Sequence, residues 1–71
     1  MKLHYYRDTD SLYIELSEVS STDSQEIASG IVLDFDAEGR LVGIDIDHAG
    51  QMVDLSRLEA LGLPLTTLRA V

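Results

Sequence analysis

The chain has 71 residues, no cysteine and a formal net charge of −8, from thirteen acidic and five basic residues. This length predicts one small domain over residues 1–71, and the missing cysteine excludes a disulfide framework and a thiolate metal site. The basic residues are scattered, whereas phosphate binding needs a clustered basic surface, so we expect no direct binding of nucleic acid. The sequence shows no signal-peptide core and no membrane-spanning run, which predicts a cytoplasmic protein without a membrane partner.

Two short strands are predicted first. Lys2–Arg7 and Leu12–Leu16 alternate apolar with polar residues, and Asp8–Ser11 between them favours a turn. A four-residue loop pairs Tyr6 with Tyr13 across this hairpin. The register predicts a core face of Leu3, Tyr5, Leu12, Ile14 and Leu16, and an outer face of His4, Tyr6, Tyr13 and Glu15.

The next segment, Ser17–Gln25, is small, polar and acidic, which favours a loop. Its length allows either a meander turn or a crossing of the sheet, so the strand order around residues 17–26 stays open. Glu26–Ser29 then leads into the third strand.

A second hairpin surrounds Asp36–Gly39. Apolar residues recur at every second position on both sides, and a four-residue loop pairs Leu33 with Val42 and Ser29 with Ile46. A shift of one residue would divide the apolar face, so the hydrophobic pattern selects this loop. The register places Ile31, Leu33, Phe35, Val42, Ile44 and Ile46 on one face, and Val32, Asp34, Leu41, Gly43 and Asp45 on the other.

The period changes after Asp47. Met52, Val53, Leu55, Leu58 and Leu61 have helical spacing, Ser56 and Glu59 have the spacing of a capping box, and Gly62 with Pro64 gives a stop signal. We therefore predict an α+β fold: a four-stranded antiparallel sheet of two hairpins, arranged as a meander, with one C-terminal amphipathic helix on the Leu33/Ile44/Ile14 face. The apolar tail, Leu63–Val71, is expected to dock either on its own core or on a neighbouring subunit.

The segments HYYRDTDSLYIEL and IVLDFDAEGRLVGIDI resemble the short bacterial proteins of domain-of-unknown-function family twenty-two eighty-three. That family has a tyrosine strand, an acidic turn, LYI and a DxDxxGxxxGI hairpin. The resemblance covers about residues 2–48 and implies a small β-meander with a C-terminal helix, but no chemistry. The resemblance also suggests that a small toxin-like protein is encoded beside this one. The matching positions are Tyr5, Tyr6, Asp10, Leu12, Tyr13, Ile14, Asp34, Asp36, Gly39, Gly43 and Ile44.

Carboxylates are concentrated at Asp34, Asp36, Asp45 and Asp47, beside His48. Such groups could hold a cation, but their spacing matches no calcium loop or zinc pattern. Alternating aspartates on the solvent face of an antiparallel strand more often serve to keep that face hydrated. We therefore expect no metal, no cofactor and no catalytic residue.

His4, Tyr6 and Tyr13 form a patch of polar aromatics on the outer face. Structural pairing ranks first for it, a protein interface second and acid–base catalysis a distant third. The leading hypothesis is a non-catalytic interaction protein that acts as a homodimer. A narrower form of it makes the chain the acidic member of a toxin–antitoxin-like pair with a small basic partner. The alternative is a ligand- or metal-binding module or an enzyme that uses this patch or the Asp34/Asp45/Asp47 cluster. Candidate interface residues are His4, Tyr6, Tyr13, Val32, Leu41, Leu65 and Leu68.

Overall fold

The computed structural model describes residues 1–65, 67 and 69 and confirms an α+β fold built on an antiparallel sheet. Within those residues the sheet has five strands, one more than predicted. The elements are β1 (Lys2–Tyr6), β2 (Ser11–Glu15), β3 (Asp23–Ala28), β4 (Ile31–Phe35), β5 (Leu41–Ile46) and α1 (Ala49–Met52).

The strands lie in the order β1-β2-β5-β4-β3, and every neighbouring pair is antiparallel. The connection after β2 therefore runs from the interior of the sheet to its far edge. From there β3, β4 and β5 return as a meander, and β5 pairs with β2. The chain thus takes the crossing and not the sequential meander that the pattern of hairpins predicted.

The additional strand is β3, which lies within a segment predicted mostly as a loop. All six of its residues are exposed, so it has no apolar side to bury. The alternation that marks a half-buried strand is consequently missing from its sequence. Ser29 and Gly30 form the turn between β3 and β4, so the predicted pairing of Ser29 with Ile46 is wrong, and Ile46 faces Ile31.

The register of the first hairpin is shifted by two residues from the prediction. His4 faces Tyr13 and Tyr6 faces Ser11, so the predicted Tyr6–Tyr13 pair is wrong. Ser11 belongs to β2, and the turn ends at Asp10, which has a positive φ of 52°. Because side chains alternate with a period of two, this shift changes the partners but keeps each residue on its predicted face.

The second hairpin is shifted in the same way. Leu33 faces Ile44 and not Val42, and the register changes next to Phe35. The longer loop, residues 36–40, is closed by the N–H of Asp36, which donates to the carbonyl of Arg40 at 2.9 Å. The apolar face is preserved from Ile31 to Leu33, whereas Phe35 is paired with Leu41, which was predicted on the opposite face.

The core lies on this apolar face. Leu12, Ile46 and Ala49 form its buried cluster, and Ile14 and Ile44 pack against them. The four-residue helix α1 therefore covers the face that we expected a helix to cover, through Ala49.

The amphipathic helix predicted from Met52 to Leu61 is wrong. Residues 53–65 contain no helix, and the side chains of Leu58 and Leu61 are 73% and 83% exposed. Helices of about ten residues are marginal without tertiary packing, and the largely exposed Leu58 and Leu61 have no such packing here. Within the part of the chain that the structure describes, no helix is both long enough and apolar enough to cross a membrane.

Candidate functional site

Tyr13 occupies the centre of the polar face. It lies on β2 opposite Asp45 of β5, and its phenol donates a hydrogen bond to Oδ2 of Asp34 on β4 at 2.8 Å. The side chain reaches β4 by crossing over Gly43 of β5. A Cβ atom built on Gly43 would overlap the hydroxyl of Tyr13 and lie 2.6 Å from its Cζ. Only glycine leaves room for this crossing.

Asp34 joins the crossing to the next strand. Its Oδ1 accepts a hydrogen bond from the hydroxyl of Ser24 on β3 at 2.6 Å, while Oδ2 is bound by Tyr13. One carboxylate therefore links β2, β4 and β3 over the top of β5. Both of its oxygens have a partner within the fold, which leaves Asp34 poorly placed to bind a ligand.

The carboxylates on this face disfavour deprotonation of Tyr13 and of Asp45. The hydrogen bond to Asp34, with burial and the neighbouring carboxylates, raises the pKa of Tyr13 from 10.0 to about 12. The pKa of Asp45 is also raised, by burial and by repulsion from Asp47 and Asp34. At neutral pH Tyr13 is thus a protonated hydrogen-bond donor and a poor general base.

A second hydrogen-bonded group surrounds Asp10 on the apolar face. Oδ1 of Asp10 accepts a hydrogen bond from the Tyr5 hydroxyl at 2.7 Å and another from the N–H of Gly50 at 3.1 Å. The carbonyl of Asp10 accepts the N–H of Ala49 at 2.8 Å. Asp10 therefore attaches the start of α1 to the first hairpin. The hydrogen bond to Asp10 is also the largest cause of the raised pKa of Tyr5.

Asp36 organises the loop of the second hairpin. Its Oδ1 accepts the N–H groups of Glu38 and Arg40, both at 2.9 Å, and Asp36 itself is buried. Gly39, in the same loop, has a positive φ of 81°, which glycine adopts without steric cost. These contacts fold the turn, so the acidic motif around it has a structural role.

The three residues of the predicted patch lie on the same face of the first hairpin. His4 and Tyr13 face each other across neighbouring strands, whereas Tyr6 lies opposite Ser11, next to Thr9. The depression beside Tyr6 and Tyr13 is wide open to solvent, so it does not exclude water as an active site would.

The other candidate interface residues are distributed over three regions. Val32 is half-buried opposite Asp45 on the polar face, while Leu41, at the start of β5, is 39% exposed. Leu65 is 54% exposed in the C-terminal segment, and Leu68 lies outside the described residues. An interface that includes all seven residues stays a prediction.

The aspartate cluster is divided by the fold. Asp34 is bound by Tyr13 and Ser24, and Asp36 is bound by its own loop. Across residues 1–65, 67 and 69, no three His, Asp or Glu side chains are placed to hold a metal ion. The structure thus gives the metal-binding alternative no supporting geometry.

Sequence reasoning missed two contributors to these contacts. Ser24 was assigned to a loop, and Asp10 to a turn without further function. The DTD sequence of the turn marked Asp10 as a residue that bonds locally. No pattern in the sequence indicated its contact with Gly50, because that contact joins residues 40 positions apart.

Comparison with known proteins agrees with this motif-based reading. Searches of curated proteins and of solved structures found no match. The family described as "Protein of unknown function (DUF2283)" matches residues 2–49, a segment that begins with β1 and ends at the first residue of α1. Because the match spans well over half of the 71 residues, the chain belongs to the DUF2283 family.

Proposed function

We propose that this chain is a cytoplasmic, non-catalytic protein-interaction module that acts as a homodimer. The observation that carries the proposal is apolar surface left uncovered on the core side of the sheet. Leu3 and Tyr5 lie on that side and are each 47% exposed, because α1 is too short to reach across it. Exposed apolar side chains grouped on one surface are typical of a protein interface.

The small core supports the same proposal. Among the described residues, the buried apolar side chains are Leu12, Val42, Ile46 and Ala49. A chain of this size gains only marginal stability from its own core. A second copy would bury more apolar surface and so stabilise both chains.

The motif side chains support a non-catalytic role. Five of the six tyrosines and aspartates in the family pattern bind one another or the backbone, at Tyr5–Asp10, Tyr13–Asp34 and within the Asp36 loop. These groups therefore explain the motif through stability, without a reaction.

We further propose a small basic protein as the partner of the homodimer, as in a toxin–antitoxin-like pair. The net charge of −8 supports this, together with the carboxylates that remain outside the two ion pairs found in the described residues, Arg40–Glu38 and Arg57–Glu59. An acidic surface of this kind attracts a basic protein and accelerates its association.

Light scattering at micromolar concentration tests the homodimer. We expect a mass near twice the 7.8 kDa of the chain, whereas a monomer mass at every concentration would refute it. Affinity capture from native lysate tests the basic partner. We expect a stoichiometric basic protein that is released as the salt concentration rises, because screening weakens attraction between exposed charges. Repeated recovery of the chain alone would refute the pair.

A further inference from the structure

The two edges of the sheet differ in how their backbone is protected. At the β3 edge the N–H of Ser24 is bound by the carboxylate of Asp23 at 3.0 Å, and the register changes between Glu26 and Ala28. Asp23 and Glu26 also place negative charge along this edge. Irregular register and charge are features by which natural sheets prevent edge-to-edge pairing.

The β1 edge lacks the change of register, and its only charge within the strand is that of Lys2. Its register with β2 is continuous from Lys2 to Tyr6, without a bulge. Residues 1–7 contain no acidic residue in a chain whose net charge is −8, so pairing two copies along this segment brings no carboxylates of the segment together. Leu3 and Tyr5 also place half-exposed apolar side chains there.

The direction of the β1 backbone groups follows from the ladder beside it. The N–H of Leu16 donates to the carbonyl of Val42 across the β2–β5 boundary at 2.9 Å. The backbone N–H and C=O groups of even-numbered β2 residues therefore point toward β5, and those of odd-numbered residues, including Tyr13, point toward β1. Tyr13 faces His4, so the N–H and C=O of His4 turn inward. The backbone groups that turn outward from β1 therefore belong to Leu3 and Tyr5.

We propose that β1 pairs antiparallel with β1 of a second copy, centred on His4, so that the two sheets join into one. In this register Leu3 of each copy exchanges both backbone hydrogen bonds with Tyr5 of the other. The side chains of Leu3 and Tyr5 then extend the apolar face without interruption across the boundary. Lys2 lies opposite Tyr6, so the like charges of the two Lys2 side chains are kept apart.

A second copy fits this edge better than an unrelated strand does. Pairing about His4 is symmetric and self-complementary, so it closes after two subunits and leaves the two protected β3 edges outermost. Pairing β1 with β3 of another copy would instead continue indefinitely, and the protection of β3 opposes it. The inference rests on the proposed homodimer and specifies where its interface lies.

Residue-resolved amide hydrogen exchange of the full chain, measured at dilute and at dimer-forming concentrations, tests the register directly. The amides of His4 and Tyr6 are bonded to β2 in either state and should change little. Those of Leu3 and Tyr5 should become at least about tenfold better protected in the dimer, because they then donate across the interface. Unchanged exchange at Leu3 and Tyr5 in a proven dimer would overturn the proposal.

Two variants with a matched control locate the interface. Leu3→Pro removes an outward donor and leaves the inward ladder intact, and Leu3→Lys puts a charge into the apolar strip. Each should weaken dimerisation more than about tenfold. Ile27→Lys makes the same change at a comparably exposed site on β3, where Ile27 is 55% exposed, and should have no effect on the mass.

The outcomes separate this inference from the proposed function. A wild-type chain that stays monomeric refutes the homodimer itself, and with it the β1 interface. A wild-type dimer that persists in both Leu3 variants refutes only the β1 interface, and dissociation by Ile27→Lys would place the contact on β3. Circular dichroism of each variant verifies that the sheet still forms.

Discussion

Two tyrosine–aspartate hydrogen bonds of almost equal length lie on opposite faces of the sheet. Tyr5 donates to Asp10 at 2.7 Å within one hairpin, at an exposed site, and the partners are five residues apart. Tyr13 donates to Asp34 at 2.8 Å between two hairpins, at a partly buried site, and the partners are 21 residues apart. The same pair of side chains therefore has a different role in each place. Tyr5–Asp10 closes a local turn, whereas Tyr13–Asp34 holds the two halves of the sheet together.

The largest effect is expected from Gly43→Ala, which should disrupt the Tyr13–Asp34 hydrogen bond. The added Cβ would lie 2.6 Å from Cζ of Tyr13, so the ring must move off β5 and release Asp34. We expect a loss of about 2–3 kcal/mol in the free energy of unfolding, measured by urea denaturation. In a Tyr13→Ala background the same substitution should cost much less, since no ring is displaced. Equal losses in both backgrounds would contradict the crossing.

The next effect is that of Tyr13→Phe, which keeps the ring and removes the hydrogen bond. We expect a loss of about 1–1.5 kcal/mol at neutral pH. The pKa of Tyr13 is raised in the folded state to about 12 from 10.0, so the wild-type advantage is complete below pH 10. It is lost as the pH rises from 10 to 12, because the unfolded state releases the proton first. An advantage that stays constant across this range would contradict the assignment.

The smallest effect is that of Asp45→Asn, which removes the charge beside Tyr13 and leaves the Tyr13–Asp34 hydrogen bond in place. The pKa of Asp45 is raised in the folded state by burial and by Asp47 and Asp34, so its ionised form destabilises the fold. Asp45→Asn should therefore stabilise the neutral-pH fold by no more than about 0.5 kcal/mol. The gain should vanish when acid protonates the wild-type carboxyl. A thermal melt at both pH values measures it, and destabilisation at neutral pH would show that the charge is needed.

The part of the fold that the sequence predicts well is the division of side chains between two faces. Leu33 and Ile44 share the core face as expected, because a half-buried strand must alternate. Their predicted register was wrong by two residues, since such a shift leaves the hydrophobic pattern unchanged. Pattern alone could not detect that Asp36 binds backbone N–H groups and enlarges the loop.

The predictions for β3 and for the C-terminal helix were wrong for opposite reasons. Residues 23–28 form a strand without an apolar face, because pairing with β4 suffices to hold them. Met52–Leu61 has an apolar stripe at helical spacing but does not form the predicted helix, because the stripe stays exposed and lacks the tertiary packing that a short helix needs. At the candidate site, sequence reasoning found Tyr13 and Asp34 but not their contact, which depends on the crossing that places β5 between β2 and β4.

Paired double-mutant cycles provide the most direct test of how the motif residues act. One cycle combines Tyr13→Phe with Asp34→Ala and the other combines Tyr5→Phe with Asp10→Ala, with urea unfolding at one fixed protein concentration. If the motif stabilises the sheet, the coupling free energy should be about 1 kcal/mol or more for Tyr13–Asp34. It should be clearly smaller for the exposed pair Tyr5–Asp10. No coupling between Tyr13 and Asp34, or a larger one between Tyr5 and Asp10, would contradict that structural role.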